Sequence, residues 1–220
     1  MIRRRVLTGV HAAVTLTLAG ALVQQATHHE TAVPRTVVPT PFEAVPSVAL
    51  TDLVWDDFHG MPLPRASDGP RRRDGDRASG FARTPRGALL AVIHIAVRAA
   101  PQWEPAVFEP TIDQQVIGPD QPQLATATGT GHDRLRKRDV RAFATVEGFR
   151  WLGYSPDAAT LDVLSSGPGD DDLTVRAATR IEVQWKDGDW RAVAPLGGDW
   201  ANAAVPVGAP DGFTLFPVRG

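Results

Sequence analysis

The clearest pattern in the chain lies between residues 173 and 185, where apolar and polar side chains alternate. Leu173, Val175, Ala177, Ile181, Val183 and Trp185 fall on one face, and Thr174, Arg176, Arg180, Glu182 and Gln184 on the other. A period of two predicts a long, half-buried antiparallel strand. Lys186-Asp187-Gly188-Asp189 reads as the hairpin turn that follows, with residues 190–195 as the returning strand. Residues 159–164 alternate in the same way, with Leu161 and Val163 opposite Thr160 and Asp162. Residues 141–154 are β-rich, and Gly148 predicts a bulge there. Gly197-Gly198-Asp199-Trp200 closes the sheet. The tail beyond it reads as loop, with an edge pairing near residues 213–218.

A different periodicity precedes these strands. Thr84-Pro85 is a helix start: threonine caps free N–H groups, and proline at the first helical position needs no donor. Residues 87–97 are apolar nearly all round, which predicts a central buried helix. Arg86, Leu90, His94 and Arg98 share one i, i+4 line, and its polar members are expected to face a rim or solvent. Pro101 ends this helix. Residues 104–116 suggest one or two short helical turns, restarted at Pro110 and ended by Gly118-Pro119. Residues 121–138 are ambiguous: a helix is one reading, but Thr126, Thr128, Gly129, Thr130 and Gly131 are weak helix formers. Helices first and antiparallel strands after predict an α+β domain over residues 84–220, a curved sheet wrapped around one long apolar helix.

The first part of the chain is built differently. Residues 1–5 form a basic tip carrying Arg3, Arg4 and Arg5. Residues 6–23 run without a formal charge. A helix of that length spans about 27 Å, close to the thickness of a bilayer core. Two readings stand: an uncleaved membrane anchor with its arginines inside, or a signal peptide cleaved after Ala19-Gly20-Ala21. Arg3-Arg4-Arg5-Val6-Leu7 also fits a loose twin-arginine pattern. Residues 24–47 hold Pro34, Pro39, Pro41 and Pro46 and read as an extended linker. Residues 48–83 read as an irregular segment packed on the domain, with Trp55 and Phe58 inserted. Arg71, Arg72, Arg73 and Arg77 lie on an exposed loop within it.

Composition narrows the chemistry. The formal net charge is −2, which gives no electrostatic signal for nucleic acid. Cysteine is absent, so disulfides, thiolate metal sites and thiol nucleophiles are excluded. His94, Asp113 and Asp162 are the acid/base candidates, yet nothing aims them at a shared cavity. His28-His29-Glu30 falls in the linker, without neighbours to impose metal geometry. Gly167-Pro168-Gly169-Asp170-Asp171-Asp172 lacks the alternation and closing glutamate of a calcium loop. Ser165-Ser166 has no histidine nearby in sequence. Trp185, Trp190 and Trp200 fit a packed hairpin better than a sugar-stacking surface. No catalytic residue, cofactor or metal site is expected.

Several strings carry a resemblance. Trp55-x-x-Phe58-x-Gly60, Leu63-Pro64, Gly69-Pro70, Gly80-Phe81-x-x-Thr84-Pro85-x-Gly87-Ala88, Gln115-Val116-x-Gly118-Pro119 and Gly188-Asp189-Trp190-Arg191 resemble an actinobacterial family of uncharacterised membrane-anchored proteins. The order of elements is similar to the nuclear-transport-factor-2-like (cystatin-like) cone. The layout is similar to the assembly-factor subunit of type IV secretion and conjugation systems. The resemblance implies a non-enzymatic envelope protein whose partners are other envelope proteins or itself. The alternatives are a small-ligand or acid/base cone, with a pocket between long helix and long strand, and cell-wall glycan binding through tryptophan.

Overall fold

The computed structural model describes residues 45–137, 144–168 and 174–217. Within them Thr84 starts the first helix as its position requires. Its hydroxyl accepts from the Gly87 N–H at 3.0 Å, and Pro85 opens α1, Pro85–Arg98. Every residue from Gly87 to Arg98 is buried. Gly87 is needed there for space rather than for φ: a Cβ would stand 2.0 Å from the Ala82 carbonyl oxygen.

The segment before α1 is not irregular, as expected above, but forms two antiparallel hairpins. β1, Val54–Phe58, pairs with β2, Met61–Arg65, and β3, Arg72–Asp74, pairs with β4, Arg77–Ser79. The turn residues explain this. His59 and Gly60 both adopt positive φ, 51° and 88°, which matches the twist of a two-residue hairpin turn. The arginines assigned to an exposed loop belong to the second hairpin. Arg73 pairs with Asp56, and Arg77 with Asp74 at 2.5 Å.

Helix α2, Pro105–Gln115, is one helix with Pro110 inside it rather than two. The stretch with weak helix propensity is also helical, as α3, Gln121–Arg136. Packing overrides propensity here. Leu124, Thr128 and Gly131 form its buried stripe, and Gly131 lets Pro101 approach.

The strands follow their alternation. β5, Val116–Ile117, is short. β6, Thr145–Tyr154, β7, Ala158–Pro168, β8, Thr174–Lys186, and β9, Asp189–Val193, make the body of the sheet. The order is β11-β6-β7-β8-β9-β5, where β11 is Thr214–Leu215, and β10, Ala204–Pro206, pairs with β8 beyond β9. All pairs are antiparallel except β5 with β9. The bulge at Gly148 is present, and a Cβ there would lie 2.5 Å from the Thr214 carbonyl oxygen of β11. The β8–β9 turn places Asp187 and Gly188 at φ 53° and 77°. Two 3-10 turns, Leu196–Gly198 and Trp200–Ala203, cross from β9 to β10.

The result is an α+β domain: three helices among the described residues and an open, curved, mostly antiparallel sheet. Leu89, Leu90 and Ile93 of α1 belong to one buried core with Phe149, Leu161, Ile181 and Trp190 of the sheet. No helix among the described residues is long and apolar enough to cross a membrane. The segment 6–23, the histidine pair of the linker and residues 169–173, with the whole aspartate run 170–172, lie outside the described residues.

Candidate functional site

The polar stripe of α1 was expected at a rim, and the structure corrects this. His94 is 1% exposed and Arg98 4%. Both hairpins of residues 54–79 fold across the helix and cover them. His94 Nε2 lies 2.8 Å from the Pro64 carbonyl oxygen of β2, so this nitrogen carries the proton and donates. Its Nδ1 then accepts from Arg98 Nη1 at 2.7 Å. The imidazole is held neutral: burial first, then the Arg98 charge, lower its pKa to about 3, against the opposing pull of the Pro64 carbonyl. Both ring nitrogens are engaged and the ring stays unprotonated at neutral pH, so His94 is not placed to shuttle protons.

Arg98 is the second unusual group. Its Nε donates to the Asp76 carbonyl oxygen at 2.6 Å, Nη1 donates to His94, and the guanidinium lies 4.2 Å over the Phe58 ring. Among the described residues it forms no ion pair with a carboxylate. Burial first, then the charge of Arg73, lower its pKa to about 10 against the opposing pull of Asp76 and Asp56, which still leaves it a cation.

These side chains line a cleft of about 210 Å³ between the two hairpins and α1. Asp56, Asp57 and Phe58 come from β1, His59 from its turn, Arg73 and Asp76 from the second hairpin, and His94 and Arg98 from the helix. Most of its charges are already matched. Asp56 accepts from Arg65 at 2.9 Å and from Arg73, while His59 Nε2 lies 2.8 Å from Asp76. Sequence reading missed this cleft. Its groups are spread over residues 56–98 and meet only because two hairpins fold back on the helix.

The other candidates are not brought to it. Asp162, expected on the outward face of its strand, is there, yet its side chain is only 4% exposed. It lies on the sheet face turned away from Leu161 and Val163, clamped between Arg150 at 2.7 Å and Arg180 at 3.0 Å from its two neighbouring strands. Asp113 is exposed on α2. Ser165 and Ser166 are buried in β7. Trp190 and Trp200 are buried, and half-buried Trp185 meets Trp190 edge-on at 5.5 Å. A second groove, of about 430 Å³, runs over the outer sheet face beside Arg180 and Trp200, with Leu196 and Val205 exposed along it.

One structural carboxylate was also missed. Asp189, read as a turn residue, is 2% exposed. It accepts from the N–H groups of Gly80 at 2.7 Å, Phe81 at 3.0 Å and Trp190 at 3.0 Å. Trp190 Nε1 donates to the Ala82 carbonyl at 2.8 Å. The β8–β9 hairpin thereby holds the chain leading into α1.

Fold and geometry define a class: an α+β domain whose first helix is roofed by two hairpins over a charged cleft. The chain belongs to the family described as Domain of unknown function (DUF8175), whose model matches residues 17–215. No curated protein and no solved structure matches it.

Proposed function

We propose that this is a non-enzymatic envelope protein, held at the cell membrane by residues 6–23 with its folded domain outside. In this reading the domain is a nuclear-transport-factor-2-like cone that assembles with other envelope proteins, or with itself, in a complex of the conjugation or type IV secretion kind. One observation carries the proposal. The space between α1 and the sheet, where such a cone would hold a substrate, is occupied by buried side chains including Phe149, Leu161, Ile181, Val183 and Trp190. The acid/base candidates support it further, since His94 and Asp162 are each locked by two partners. The outer groove, edged by exposed Leu196 and Val205, offers an apolar surface to a partner.

Crosslinking in native membranes tests this reading. The full chain is expected in a larger crosslinked species, and Leu196→Glu is expected to deplete that species without lowering the melting temperature. A chain that stays monomeric and uncrosslinked in its membrane, or one found only as a soluble shortened product, overturns the proposal.

A further inference from the structure

We propose that the cleft beneath the two hairpins binds a small molecule through an oxyanion, a carboxylate or phosphate group, seated on the guanidinium of Arg98. The argument begins with cost. A buried cation without a counter-charge is expensive, and proteins retain one where it is paired or functional. Arg98 is 4% exposed and has no carboxylate partner among the described residues. Its anchoring uses only neutral acceptors: the Asp76 and His94 carbonyls and the unprotonated His94 Nδ1. These hold Nε and Nη1, while Nη2 donates to nothing among the described residues. The Phe58 ring covers the guanidinium face at 4.2 Å. An arginine fixed along one side, with donor capacity left over at a cleft, is suited to oxyanion recognition.

The cleft's carboxylates do not pair with it directly among the described residues. Asp56 is engaged by Arg65 and Arg73, and Asp76 by His59. Arg73, the largest neighbouring charge acting on Arg98, opposes its cationic form, while Asp76 and Asp56 offset part of that cost without forming an ion pair with it. Asp57, exposed and without an ion pair among the described residues, accepts the Gly60 N–H on one oxygen at 3.2 Å and leaves the other for a cationic substituent on the same ligand. About 210 Å³ limits that ligand to a small molecule. The site lies apart from the outer groove and does not depend on the assembly reading.

The test is a titration of the full chain in detergent at constant ionic strength, following the Arg98 Nε–H and Phe58 ring resonances by NMR. Sodium acetate and inorganic phosphate are the two probes, with chloride as control. Saturable shifts with acetate alone identify a carboxylate site, and saturable shifts with phosphate alone a phosphate site. Arg98→Lys keeps the charge without the fork and should weaken binding at least tenfold. Arg73→Gln, at a half-exposed side chain, should weaken it several-fold and serves if the lysine variant does not fold. If neither anion gives a saturable shift, or neither variant weakens binding, Arg98 is a structural residue solvated by water and the proposal is overturned.

Discussion

His94 illustrates how far a single residue can be read. Its place on a polar line of a helix is visible in sequence, but its roof is not. The acceptor that fixes its tautomer, Pro64, arrives from a hairpin 30 residues away. A test follows from its depressed pKa, about 3 against an ordinary 6.5. Between these values the unfolded chain binds a proton that the folded chain refuses. Stability is therefore fully present above pH 6.5 and is lost as pH falls toward 3, with a slope approaching about 1.4 kcal/mol per pH unit. Urea denaturation at pH 7 and pH 5 should show this loss in the wild type. His94→Gln, which has no proton to gain, should show a clearly shallower decline. Equal declines would mean that His94 is protonated in the folded state. Asp189 gives a second test. Asp189→Asn places an amide against backbone N–H donors now served by the two carboxylate oxygens. It should cost about 1–3 kcal/mol in chemical denaturation.

At the scale of elements, the strands were legible and the second and third helices less so. β8 is buried at Ile181 and Val183 and exposed at Arg180, Glu182 and Gln184, as its alternation predicts. Val183 is 0% exposed. Val183→Asp would bury an unpaired charge, at a cost of several kcal/mol, comparable to the stability of a small domain. Glu182→Ala should change stability by about 0.5 kcal/mol or less. Denaturation of both variants tests the register, and the reverse ranking would put the strand the other way round. The helix α3 stayed ambiguous in the sequence because its support comes from elsewhere. Its threonines Thr126 and Thr130 return hydrogen bonds to carbonyls four residues back, at 3.0 and 2.9 Å. Its stripe packs on residues distant in the chain. Gly198 is one of these contacts. It has φ 72°, and a Cβ would lie 2.4 Å from the Gln123 Cβ and 2.5 Å from the Leu124 nitrogen. Gly198→Ala should therefore lower the melting temperature by several degrees, more than Gly188→Ala, whose Cβ would meet nothing within 4 Å at a similar φ of 77°.

Across the whole molecule, the sequence pattern separates the α+β body from what precedes it but misplaces where the folded unit begins. Low alternation and mixed composition made residues 48–83 look like a strap, because short hairpins with buried prolines and aromatics leave no clean period. Their packing makes them part of the domain. Met61 is 2% exposed, Leu63 1% and Phe81 2%. Arg86 of α1 is tied back to Asp68 at 2.5 Å and to Asp52. Asp68 is held below the ordinary aspartate pKa: burial alone would raise it, but hydrogen bonds from Thr84 and Arg86 outweigh that. Removing the hairpins would uncover the apolar partners of α1 and leave Arg98 without the Phe58 ring and the Asp76 carbonyl. A chain beginning at Val45 should therefore melt cooperatively at the temperature of the full-length protein, whereas one beginning at Thr84 should bind a hydrophobic dye and show no cooperative transition. The same pair tests the proposed anchor, since the chain beginning at Val45 should leave the membrane fraction while full-length protein stays in it. If the Thr84 chain melted like the Val45 chain, the hairpins would be an appendage, and neither His94 nor Arg98 would owe its burial to a fold that closes over them.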